Sequence, residues 1–170
     1  MTLQIREATP ADAMLLNALG YSIYRAHFQH LWVSKSEMEA FLASEYSLAV
    51  LEQSLEERGV RWYIAETERP MGFAKVTCES TIPDTDMSGM LLNKLYFDPA
   101  DTGKGHGQVM FETIKQLARD NGKDLVWLEV LEQNQRAFNF YRKLGMTWIK
   151  STLFKTASQQ SVIRIMGISV

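Results

Sequence analysis

Leu91-Leu92-Asn93-Lys94-Leu95-Tyr96-Phe97-Asp98-Pro99 leads into Ala100-Asp101-Thr102-Gly103-Lys104-Gly105-His106-Gly107-Gln108 and then into Val109 to Asn121. The reading of this stretch decides the fold. It describes an apolar strand with a proline-marked exit, a loop holding three glycines in five residues, and a helix. Met110, Phe111, Ile114, Leu117 and Ala118 recur at the spacing of one buried helix face. Asn121-Gly122 supplies the stop signal. A strand, a glycine loop and a helix N-terminus make an anion site: unpaired N–H groups point outward, the helix dipole is positive, and glycine admits a phosphate to the backbone.

The glycine spacing excludes two phosphate sites. No G-x-x-x-x-G-K-S/T octet occurs, and the dinucleotide pattern G-x-G-x-x-G fails from Gly103, where it reaches Gln108, and from Gly105, where it reaches Met110. What remains is Gly103-x-Gly105-x-Gly107 behind Leu-Tyr-Phe-Asp-Pro. Glycine clusters also form plain turns.

Outward from this stretch, 170 residues with 46% apolar content suit a single domain over 1–170 with a sizeable core. A net charge of −2 gives no electrostatic footprint for nucleic acid or an anionic membrane. The single cysteine, Cys78, leaves no internal disulfide and reads as a small core residue. No basic head with an apolar core opens the chain and no apolar run approaches a bilayer span, so a soluble, cytoplasmic domain is expected.

Upstream, Leu3 to Glu7 reads as a strand, and Thr9-Pro10 opens a helix whose buried face is Leu16, Leu19, Ile23 and Ala26. Gly20 inside that helix marks a bend or a close approach. His27 and His30 are spaced i, i+3 with no third ligand nearby, which favours surface or core-edge histidines over a metal pair. Phe28, Leu31 and Trp32 are core or a pocket wall. Ser36 to Glu39 reads as a capping box for a helical stretch to about Arg58, interrupted near Ser44–Ser47, with Leu48, Leu51 and Leu55 inward and Glu52, Glu56 and Glu57 solvated. Val60–Ala65 and Met71–Cys78 alternate as strands, and Ser80 to Gly89 reads as a polar loop.

Downstream, Leu125 to Leu131 is a strand, so the strand–helix–strand run implies parallel neighbours. Glu129 interrupts its apolar run; there it is either a general base or a rim glutamate in water or a salt bridge. Asn134 caps a helix with Ala137, Phe140, Tyr141 and Leu144 on one face, and Gly145 ends it. Thr147–Phe154 and Val162–Val170 form a closing hairpin.

Two motifs carry a resemblance. The glycine loop resembles the coenzyme A signature Arg/Gln-x-x-Gly-x-Gly/Ala of the GNAT family of N-acetyltransferases. Asn134-x-x-Ala137-x-x-Phe140-Tyr141-x-x-x-Gly145-Met146 resembles that family's second hallmark, and Leu-Glu-Val-x-x-x-Asn leads into it. The match covers Leu91 to Met146. It implies an α/β (α+β) fold: a mixed, mostly antiparallel sheet of about seven strands with parallel, splayed strands 4 and 5, flanked by about four helices. The main chain of Leu95, Tyr96 and Phe97 would then pair with the pantetheine of acetyl-CoA. Backbone N–H groups across Gly103, Lys104, Gly105, His106, Gly107 and Gln108 would hold its pyrophosphate, and Asn134 would contact the pantetheine arm. Glu129 would take a proton from the amine and Tyr141 would give one to the thiolate, a pair resembling that of bacterial ribosomal-protein N-terminal acetyltransferases. Tyr141 also reads as a core aromatic.

Thr102 stands where the family has Arg or Gln, so one side-chain contact to the phosphates would be weaker or supplied by Lys104, and His106 replaces an aliphatic residue at the helix start. The implied activity is acetyl-CoA-dependent N-acetylation of a primary amine in a ternary complex, without a metal. The alternative is a catalytically silent acyl-CoA sensor. The acceptor is a polyamine, another small amine or a peptide N-terminus. Phe28 to Arg58 resembles spermidine/spermine acetyltransferases of the PaiA type, and Glu37, Glu39, Glu45, Asp84 and Asp86 would supply negative charge. Family members often pair through their C-terminal strands, which makes a homodimer one expectation.

Overall fold

The computed structural model describes residues 2–170. In chain order, β1 (Gln4–Glu7) precedes α1 (Ala13–Phe28), α2 (Lys35–Tyr46) and α3 (Leu48–Glu56); β2 (Val60–Glu66), β3 (Pro70–Thr81) and β4 (Ser88–Phe97) follow. Then come α4 (His106–Asp120), β5 (Leu125–Leu131), α5 (Gln135–Lys143), β6 (Thr147–Lys155) and β7 (Gln160–Ser169). The strands form one seven-stranded sheet in the order β1-β2-β3-β4-β5-β7-β6. β1/β2, β5/β7 and β6/β7 are antiparallel, whereas β4 and β5 are parallel through Met90–Val126, Leu91–Trp127 and Leu92–Leu128. The expected mixed sheet with parallel fourth and fifth strands is therefore present. Parallel neighbours need a long crossover, and α4 provides it.

Contacts divide the chain into two compact units, Met1–Val76 with Lys94–Met110, and Thr77–Asn93 with Phe111–Val170. The first is built on aromatic packing. Tyr46, Trp62 and Phe73 are fully buried, and Tyr46 and Trp62 each meet the Phe73 ring. Gly20 lets α1 approach Tyr46: a Cβ there would lie 2.2 Å from the ring, so the close-packing reading holds. The core of the second unit includes Ile82, Trp127 and Ile165, with Trp127 Nε1 donating to the Ser80 carbonyl at 3.0 Å.

Several local expectations shift. Thr9 and Pro10 open a short 3-10 turn, Pro10–Asp12, ahead of α1. Ala26 is exposed, and the buried face of α1 runs instead through Tyr24 to Phe28. Ser34, not Ser36, caps α2, its Oγ accepting from Glu37 N at 3.3 Å. The helical stretch breaks at Ser47, as expected, and this splits it into α2 and α3. Leu48 is exposed at the new N-terminus, while Ser54 is buried and accepts from Trp62 Nε1. Only the two ends of the expected polar loop are strand, because β3 continues to Thr81 and β4 starts at Ser88; residues 82–87 form the loop. Cys78 is half-buried and not a core residue. On α5, Phe138 is buried and Phe140 only partly so, since the Arg164 guanidinium and the Trp148 ring pack on Phe138.

Candidate functional site

The last residues of β4, the loop and the first turn of α4 form one continuous segment of the first unit: Leu95, Tyr96, Phe97, Gly103, Lys104, Gly105, His106, Gly107 and Gln108. After Phe97, Asp98 N donates to the Met71 carbonyl at 2.8 Å, which fixes the strand exit. Asp98 caps the turn Pro99–Asp101, its Oδ1 accepting from Ala100 N at 3.0 Å. Asp101 is buried, and its carboxylate accepts from Arg69 Nη2 at 2.7 Å and pairs with Lys104 Nζ at 3.5 Å. A buried carboxylate persists only when paired, so Arg69 and Lys104 tie the loop to a carboxylate that cannot leave cheaply.

Gly103 and Gly105 have φ of +78° and +81°, a conformation open to glycine at little cost. A Cβ built on either meets no atom within 4 Å. The loop backbone is thus bare on the side where a side chain would stand. Val109 N donates to the Gly105 carbonyl at 3.3 Å, and the N–H groups ahead of it, those of His106, Gly107 and Gln108, are the donors a helix start leaves without intrahelical acceptors. Bare glycine backbone, helix-start donors and the Lys104 ammonium suit a phosphate-bearing ligand. Thr102 donates its hydroxyl to the Pro99 carbonyl at 2.8 Å, and Lys104 pairs with Asp101 while its side chain stays exposed.

Glu129, Asn134 and Tyr141 belong to the second unit. β5 is central and apolar, and Glu129 is its one exposed position. Neighbouring protein still removes enough water to push its carboxyl above the ordinary range. That direction suits a base operating nearer neutral pH. Asn134 Oδ1 accepts from Ala137 N at 3.2 Å, so this side chain works as the α5 cap. Tyr141 is buried, with its ring 5.9 Å from Phe111 and 5.1 Å from Phe140. Burial pushes its phenol well above the ordinary value, which keeps the proton on at neutral pH.

Three of the acidic residues expected near an acceptor stand beside cations. Glu39 pairs with Arg25 at 2.8 Å, Glu45 with the buried Lys94 at 2.8 Å, and Asp84 with Lys150 at 3.8 Å. Phe28 is core, and Trp32 Nε1 donates to the Tyr24 hydroxyl at 3.0 Å. His30 is exposed and His27 bonds a carbonyl. Among the described residues no group of three or more His, Cys, Asp or Glu side chains is arranged to hold a metal ion, and no helix is long and apolar enough to cross a membrane. Sequence reasoning missed Asp101, Arg69 and His27. Only Asp101 carried a local signal, the Asp-Pro-Ala-Asp run of a capped turn with an acid in its first turn.

Comparison with known proteins places this geometry in a family. Residues 23–146 match the model of the acetyltransferase (GNAT) family, and the chain belongs to it. It is 30% identical over 71 residues to an uncharacterized N-acetyltransferase of Lactobacillus delbrueckii subsp. lactis, a match covering 42% of this chain and 41% of that protein. It is 36% identical over 64 residues to the streptothricin acetyltransferase of Streptomyces lavendulae, covering 36% and 34% respectively. These matches span well under half the length of the curated relatives. The fold is shared with the PaiA N-acetyltransferase of Thermoplasma acidophilum in complex with coenzyme A, at TM-score 0.80 and 19% identity over all of both chains. It is also shared with yncA of Salmonella typhimurium with acetyl-CoA, at TM-score 0.66 and 18% identity over 99% and 94%.

Proposed function

We propose that this chain, acting as one catalytic domain over 1–170, is a cytoplasmic acetyl-CoA-dependent N-acetyltransferase acting on a primary amine. The observation that carries the reading is the anchored glycine loop, whose bare backbone leads directly into a helix start. The complexes of the PaiA and yncA proteins with coenzyme A and acetyl-CoA support the choice of ligand.

In this reading the loop and the first turn of α4 bind the pyrophosphate, and the main chain of Leu95, Tyr96 and Phe97 aligns the pantetheine. Asn134 holds the pantetheine arm through the amide nitrogen that its cap leaves over. A protonated amine has a pKa near 10 and does not attack a thioester until it loses its proton. Glu129 takes that proton, directly or through water. The amine nitrogen bonds to the thioester carbonyl carbon, main-chain N–H groups near Phe97 hold the oxyanion, and the carbon–sulfur bond breaks as the intermediate collapses. The leaving thiolate takes the proton of the Tyr141 hydroxyl, and the second proton lost by the former amine nitrogen, relayed by water, restores the phenol. The products are an acetamide and free coenzyme A.

Glu39, Glu45 and Asp84 each stand beside a cation, with Asp84 fully exposed, and the acceptor is a polyamine, another small amine or a peptide N-terminus. The test is coenzyme A release, followed with a thiol reagent, across polyamines, amino acids, aminoglycosides and peptide N-termini. Release that depends on one amine class supports the enzyme and names its acceptor. Tight acetyl-CoA binding with no release from any amine would replace the enzyme with an acyl-CoA sensor.

A further inference from the structure

Phe97, the last residue of β4, is gripped from three directions. Gly72 on β3 lies so close that a Cβ there would stand 2.6 Å from the Phe97 ring and 2.8 Å from the Tyr96 carbonyl oxygen. The His106 ring packs on the Phe97 ring at 6.0 Å, tilted by 31°. On the third side His27, one residue before the end of α1, places Nε2 2.7 Å from the Phe97 carbonyl oxygen. A carbonyl oxygen only accepts, so Nε2 must carry the hydrogen and donate. Both the neutral Nε2–H tautomer and the imidazolium carry that hydrogen, while the neutral Nδ1–H tautomer cannot make the bond. Next along the chain, Phe28 meets Tyr96 edge-on at 5.5 Å. The C-terminal turn of α1 therefore grips two successive residues at the strand end, one by a hydrogen bond and one by a ring.

We propose that His27 is a positioning residue for acetyl transfer. Its Nε2–H holds the carbonyl of the Phe97–Asp98 peptide, whose N–H is tied to the Met71 carbonyl, and so fixes Phe97 and the angle at which the main chain just before that peptide faces the thioester. The inference rests on the acetyltransferase reading, in which that main chain aligns the thioester and supplies the oxyanion donors. Its reach is geometric: a peptide plane rotated by a few tens of degrees moves its polar atoms by about 1 Å, enough to cost on the order of a hundredfold in a well-aligned site. Glutamine carries an Nε2–H₂ at a similar reach and preserves the donor; phenylalanine preserves the ring and lacks it.

Two measurements test this. The first reads the bond without activity: ¹⁵N-labelled ring nitrogens of His27 in the wild-type protein report which nitrogen carries the hydrogen. An Nε2–H form is expected in the neutral ring, and an Nδ1–H form overturns the bond whatever the enzyme does. The second compares His27→Phe with His27→Gln in steady-state acetyl transfer, both checked for cooperative thermal unfolding. We expect His27→Phe to lower kcat about tenfold or more with KM for acetyl-CoA changed less than about threefold, and His27→Gln to recover most of that loss. Equal kinetics in the two variants, whether both wild-type or both impaired, overturn the positioning role. A wild-type chain that holds the Nε2–H tautomer yet transfers no acetyl group overturns the enzymatic reading and leaves His27 as a structural clamp, so the two failures are distinguishable.

Discussion

The loop from Asp98 to Gln108 and the pair Glu129 and Tyr141 are prepared in opposite ways. The loop is tied by partners: Asp98 to Ala100 and Met71, Asp101 to Arg69 and Lys104, Thr102 to Pro99, and Phe97 to His27. Glu129 and Tyr141 are prepared by desolvation: neighbouring protein strips water from the exposed Glu129 carboxyl and from the buried Tyr141 phenol and raises both. The contrast fits what the proposed acetyl transfer would ask of each. A binding loop gains from rigidity before its ligand arrives, because the ordering cost is then met in folding. A base gains from a pKa moved toward neutral, as at Glu129, and a tight partner would hold it in one state; at Tyr141 the shift keeps the phenol protonated.

The sharpest way to break the loop half of this contrast is Gly105→Val. A β-branched side chain at φ of +81° is strained and occupies the bare face of the loop. Acetyl-CoA affinity should fall on the order of a hundredfold or more by calorimetry, because strain and blockage act on the same contacts. A variant that unfolds like wild type and still binds tightly would remove the loop from the coenzyme site. On the other side, Tyr141→Phe deletes one hydroxyl from a buried ring and leaves the packing against Phe111 and Phe140 intact. Turnover should drop about tenfold or more with acetyl-CoA affinity near wild type; unchanged turnover would exclude Tyr141 as the acid.

Glu129→Gln should act more mildly, flattening the basic-ward rise of the pH–rate profile and costing turnover about fivefold at its alkaline end. Its effect on stability has a definite sign. Partial desolvation makes the folded chain hold the Glu129 proton to higher pH than the unfolded chain does, so stability from this site declines as pH rises above the ordinary 4.5. The glutamine variant lacks that decline, which denaturant unfolding at pH 4.5 and 7 would reveal. The smallest effect is expected for Asp101→Asn, which keeps the shape of the anchor and removes its charge. Arg69 is half-exposed and finds water, so the loss should be about 1 kcal/mol of stability, with about a threefold weakening of acetyl-CoA binding. A loss confined to stability would show that the anchor serves folding alone.

How far the sequence carried differs between these regions. The Gly103–Gly107 loop and the Asn134 to Gly145 helix were legible because each is local: positive φ demands glycine, and a cap is set by residues three apart. The α2 start was misplaced because Ser34-x-x-Glu37 and Ser36-x-x-Glu39 are equally good boxes by spacing, and the structure uses the first. The α5 face was misplaced for a similar reason. Phe138 and Phe140 fit comparable stripes, and side chains from β6 and β7 select Phe138.

By itself, then, the sequence determined the order of elements, the parallel crossover through α4, the glycine loop and the family, all of which depend on spacing within a few tens of residues. Tertiary structure alone decided what holds and tunes them. His27 meets Phe97 across 70 positions of chain, Arg69 meets Asp101 across 32, and Lys94 meets Glu45 across 49. No local pattern encodes such pairs, because burial forces a polar group to find a partner without specifying where along the chain that partner lies.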